Sequence, residues 1–109
     1  MKPTTAAAGL VLATVLAAAQ PGFAQAPTLD PVAAAGKVIF EETAGGVGCA
    51  ACHGMDATGD FGPDIRGQDS VAVLQALKAN EDMQFIELSE VEVDQVAAYL
   101  RYLHDIEAH

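Results

Sequence analysis

Basic side chains are scarce in this chain of 109 residues: Lys2, Lys37, Arg66, Lys78 and Arg101 stand against fifteen acids, a net charge of −10. A nucleic-acid partner demands a basic face, so the balance excludes that class. Cysteine is nearly absent as well. Cys49 and Cys52, three positions apart, are the two present, too few for a disulfide framework. No apolar run reaches the roughly 20 residues that span a bilayer. No stretch alternates convincingly as a strand, and no repeat or second domain is visible. Nor does an acid/base pair, an activated nucleophile or a phosphate-binding loop stand out. Ser70 and Ser89 read as helix caps, and Glu41-Glu42 and Glu81-Asp82 as solvated pairs.

What is present begins with an export signal. Lys2, the apolar stretch from Ala6 to Ala19 and the small residues Gly22-Phe23-Ala24 match the three zones of a secretory signal peptide. Pro27 would follow a cut after Ala26, so the cut is placed after Ala24. Residues 1–24 are then a cleaved signal, 25–31 a lead-in and 32–109 one small domain, destined for the periplasm, with no stable membrane insertion after cleavage. A domain this short usually needs a metal, a cofactor or cross-links to be stable alone.

The domain reads as all-α. Asp30 offers an N-cap and Pro31 suits the first helical position, opening a helix to about Glu42 with Val32, Gly36, Ile39 and Phe40 on one face. Glycine in mid-helix costs about 1 kcal/mol relative to alanine, so Gly36 marks close approach of another helix. Thr43–Gly48 and Gly54–Gly67 are too rich in glycine for helix. Asp69 or Ser70 caps a second helix from Val71 to about Ala79, with Val71, Leu74 and Leu77 apolar, ended by Asn80 in a left-handed conformation. Ser89 and Glu92 form a capping box for a third, with Val93, Val96, Leu100 and Leu103 inward and Glu92, Asp94 and Arg101 outward.

Cys49-Ala50-Ala51-Cys52-His53 spells C-x-x-C-H, the attachment signature of a c-type haem. Two thiols one helical turn apart can add to the two vinyl groups on one edge of a porphyrin. The adjacent His53 then places its imidazole on the iron, and small residues at 50 and 51 let the ring edge lie against the backbone. Two other chemistries use such spacing. A redox-active disulfide wants a βαβ setting, which the pattern lacks. A structural zinc wants a second ligand pair, and no obvious cluster supplies one.

On these residues the chain resembles the class I cytochrome c family, from about Val32 to Leu103. Ala35-Gly36-Lys37-Val38-Ile39-Phe40-Glu41 is similar to that family's N-terminal helix, and Ala97-Ala98-Tyr99-Leu100 to its C-terminal helix. The resemblance implies a cytochrome c-like fold of about three helices around one covalently bound haem c. It also implies that the two helices cross, with Gly36, Phe40, Val96 and Tyr99 at the contact. Gly62-Pro63-Asp64-Ile65-Arg66-Gly67 is similar to the family's G-P-x-L-x-G segment. There the proline carbonyl accepts a hydrogen bond from the iron-bound histidine, a role that falls on Pro63 and would fix and strengthen the His53 ligand.

Methionine is the family's usual sixth ligand. After signal removal only Met55 and Met83 remain, and Met55 lies two residues past His53, too near to reach the opposite face. Met83 falls between the second and third helices, where the family keeps its ligand, although a core-filling role is its other reading. His104 and His109 are replacement ligands in principle; His104 is expected to face solvent at the helix end. Phe85, Ile86 and Leu88 are expected to keep the distal side dry. Thirty residues separate His53 from Met83, short for the family, and the missing length falls in loops that wrap the propionate edge. Arg66 is open between a propionate partner and plain solvation.

With both axial positions filled, the expected function is periplasmic electron transfer, not enzyme catalysis. The chain would act as a soluble carrier or as the haem subunit of an oxidoreductase, with redox partner proteins that present a basic docking face. Were Met83 not to bind, a five-coordinate haem enzyme or gas-binding sensor would follow. A non-haem module with a Cys49–Cys52 disulfide ranks below both.

Overall fold

The computed structural model describes residues 27–107; residues 1–24, the expected signal peptide, and His109 lie outside the described residues. Asp30 Oδ1 accepts the Ala33 N–H at 2.9 Å and Pro31 occupies the first turn, so helix α1 starts at once and runs Pro31–Val38. It continues into a π-helical turn, Ile39–Thr43, and a 3₁₀ turn, Ala44–Gly46. The expected end near Glu42 thus holds, but the last turn is widened. A single α-turn, α2, spans Ala50–His53. Among the described residues there is no strand, and no helix is long and apolar enough to cross a membrane. The fold is all-α.

Asp69 caps helix α3, Ser70–Ala79, by accepting the Ala72 N–H at 2.8 Å. Ser70 is not the cap: its hydroxyl donates to Asp94 at 2.7 Å, across to the last helix. Asn80 departs from the expected left-handed end. Its backbone is extended, at φ −93°, and its side chain accepts the Asp82 N–H, capping a 3₁₀ turn at Glu81–Met83 instead. The capping box forms as expected, with Ser89 N–H to Glu92 at 2.9 Å and Glu92 N–H to Ser89 Oγ at 3.1 Å, before helix α4, Glu90–Glu107.

Helices α1 and α4 cross at Gly36. A Cβ there would lie 1.9 Å from the Gln95 carbonyl oxygen and 3.0 Å from the Val96 nitrogen, so only glycine permits this separation. Phe40 and Tyr99 then meet, ring centroids 5.5 Å apart and tilted by 55°, at a separation typical of favourable aromatic pairs. Phe40, Val96 and Leu100 are fully buried around this crossing, with Val93 and Leu103 extending the seam. Val32 is half exposed, against expectation, and the neighbouring Ala33 is buried instead. α3 has no fully buried residue, and its half-buried Val73 packs against this core.

Candidate functional site

His53 ends α2 and is buried. Its Nδ1 lies 2.8 Å from the Pro63 carbonyl oxygen. A carbonyl only accepts, so Nδ1 donates, and in the neutral ring Nε2 carries the lone pair that a metal would take. Pro63 is held there by its loop. The Gly62 N–H donates to the Cys52 carbonyl at 2.7 Å, and the Gly59 N–H to the His53 carbonyl at 2.9 Å, so the loop folds back on the C-x-x-C-H turn. Gly62 does more than punctuate the loop, which is how its sequence neighbourhood reads. A Cβ there would come within 2.6 Å of the His53 ring, so a bare backbone is needed to back the imidazole.

Beside His53 is a partly open cavity of about 110 Å³. Cys49, His53, Pro63 and Ile65 form one wall; Leu88, Val96 and Leu100 contribute another. Ala72, Val73, Ala76 and Leu77 of α3 line it on a further side. The i, i+4 spacing of Ala72 and Ala76 was the sequence signal for this wall. Met83 lines the same cavity, half-buried at the end of the 3₁₀ turn. No charged side chain lines it.

The other sequence candidates fall elsewhere. Met55 is 61% exposed and is not at the cavity. Of the three apolar residues expected to dry the distal side, only Leu88 lines the cavity; Phe85 is largely exposed and packs beside Gly45. His104 is exposed at the C-terminal turns of α4, as expected, with its ring against Gly67. Arg66 is partly exposed, and its guanidinium pairs with Asp64 and Glu107.

Cys49 is half-buried at the cavity and Cys52 is exposed, and the two thiols are not bonded to each other. Burial pushes the Cys49 thiol up to about 11. Among the described residues no group of three or more His, Cys, Asp or Glu gathers as a metal-binding set. What the arrangement offers is an apolar slot with one imidazole nitrogen, one thioether side chain and a thiol at its wall. No family model matches the chain, and no curated protein or solved structure matches it.

Proposed function

We propose that the chain is a c-type cytochrome with a cytochrome c-like fold, carrying one haem through Cys49 and Cys52 and transferring electrons in the periplasm. The observation that carries this is the buried His53 imidazole, oriented by Pro63, at an uncharged cavity that Met83 also lines. A haem suits the slot, because a broad apolar disc would cover the inner face of α3 and meet the imidazole. The short stretch between His53 and Met83 would leave one edge of such a disc uncovered.

Bound there, a haem supplies reversible one-electron chemistry at its iron. The chain's own residues do the rest. Cys49 and Cys52 would hold the haem through thioether bonds, and His53 and Met83 would ligate its iron. Pro63 holds the imidazole and raises its basicity, while the Met83 thioether raises the reduction potential. Leu88 and the small residues of α3 exclude water from the slot. The acidic surface suits a redox partner with a basic docking face, whether the chain diffuses freely or serves as the haem subunit of an oxidoreductase.

The test is the optical spectrum of the exported protein in both oxidation states, before and after acid–acetone extraction. Haem should stay on the polypeptide, and Cys52→Ala should weaken its attachment. The ferric form should show the far-red band of methionine ligation, which Met83→Ala erases and Met55→Ala leaves intact. Loss of all haem on extraction would sink the covalent reading. A wild-type ferrous form that binds carbon monoxide readily would displace the electron carrier in favour of an open-site enzyme or sensor.

A further inference from the structure

The Pro63 carbonyl belongs to the peptide unit that joins Pro63 to Asp64. Whatever fixes Asp64 therefore fixes the rotation of that carbonyl, and hydrogen bonds weaken steeply as their angle departs from linearity. Asp64 is gripped by Arg66. Oδ1 accepts the Arg66 backbone N–H at 3.1 Å and its Nε–H at 3.0 Å, while Oδ2 accepts from a terminal guanidinium nitrogen at 2.6 Å. The other terminal nitrogen of Arg66 lies 2.5 Å from Glu107, on the last described turn of α4. A planar guanidinium can serve two carboxylates in different directions at once.

The other bonds of this loop hold it to nearby chain: Gly62 to Cys52 and Ile65 to Ala57. Attachment to the long helix comes from the Gly67 N–H, 2.9 Å from the Leu100 carbonyl, and from the Arg66 clamp. Arg66 is also the least exposed of the three partners, at 22% against 45% for Asp64 and 61% for Glu107.

We infer that Arg66, clamped between Asp64 and Glu107, is a positioning residue that holds the Pro63 carbonyl against His53. It touches neither the imidazole nor the cavity, and acts through one peptide plane. Partly exposed ion pairs add little to global stability. Its effect belongs instead to the imidazole, where a firm acceptor on Nδ1–H makes Nε2 a stronger donor and stabilises ferric iron. The redox half of the test rests on the proposed haem ligation; the proton-exchange half does not.

The experiment compares wild type with Arg66→Gln, Arg66→Lys, Glu107→Ala and the double variant Arg66→Gln/Glu107→Ala. Three quantities are read: exchange of the His53 Nδ1 proton by NMR, midpoint potential and thermal midpoint. Arg66→Gln and Glu107→Ala should each speed exchange by about two- to fivefold, the scale set by a partly exposed pair, with the thermal midpoint nearly unchanged. The midpoint potential should rise in both. The double variant should be no worse than Arg66→Gln alone, because the two changes remove one shared contact. Arg66→Lys should resemble Arg66→Gln, since an ammonium lacks the fork that serves both carboxylates. Wild-type exchange and potential in Arg66→Gln would overturn the inference, the Gly67–Leu100 bond then sufficing. Exchange that changes only in step with lost thermal stability would overturn it too, by showing a merely structural role. A wild-type protein that takes up no haem would sink the cytochrome proposal, while Nδ1 exchange in the same variants would still judge the clamp.

Discussion

Asp64 is held as a carboxylate chiefly by hydrogen bonds from the Arg66 side chain and backbone, which lower it from 3.8 to about 2. Its folded value lies below its unfolded one. The stabilisation it contributes is thus complete above about pH 4, shrinks as pH falls toward 2, and is gone below that. Carbon-13 NMR of the Asp64 side chain should show a titration midpoint near 2 in wild type, returning toward 3.8 in Arg66→Gln. An ordinary midpoint in the wild-type protein would mean that the pair does not persist in solution. Ala57 shows how far such local detail escapes the sequence. It is buried with φ at +62°, and its carbonyl accepts the Ile65 N–H, yet nothing about an alanine announces a left-handed backbone.

At the level of elements, the crossing of α1 and α4 depends on Gly36. In an exposed helix, Gly→Ala stabilises by about 1 kcal/mol. Here the added methyl would meet the Gln95 carbonyl at 1.9 Å, and backbone cannot step aside as a side chain can. The helices would have to part and loosen the contact of Phe40 with Tyr99. Gly36→Ala should therefore cost at least about 2 kcal/mol. That corresponds to a fall of roughly 10 °C or more in the thermal midpoint, read by circular dichroism. A rise would show that propensity outweighs the crossing. Gly48 plays a related part after the π-helical turn: at φ +88°, its missing side chain would otherwise strike the Glu41 backbone at 2.5 Å.

Taken whole, residues 27–107 carry all fifteen acids and four bases, and one of those bases, Arg66, is already matched by two carboxylates. Such a surface attracts cations and repels anions over a Debye length of about 10 Å at 0.1 M salt. The second-order rate of oxidation or reduction by a small cationic metal complex should fall as ionic strength rises. The rate with an anionic complex of similar size should rise. Equal, flat dependences would place the reacting edge away from the acids and leave them a role in solubility alone.

Much of the helical framework was legible in the chain, because its signals act over three or four residues. Asp30, Asp69 and the Ser89–Glu92 pair cap helices through bonds to N–H groups three positions away. The C-x-x-C-H spacing is equally local, and Gly36 announced a close neighbour without saying which. Tertiary structure decided the rest. It chose Gln95 as that neighbour, buried Ala33 rather than Val32, and set one side of α3 on a cavity beside His53. It brought Pro63 to His53 across ten residues and Glu107 to Arg66 across forty-one. The reason is physical: a cap or a motif is satisfied by adjacent backbone, whereas a contact between distant residues exists only once packing of the intervening helices fixes the distance between them.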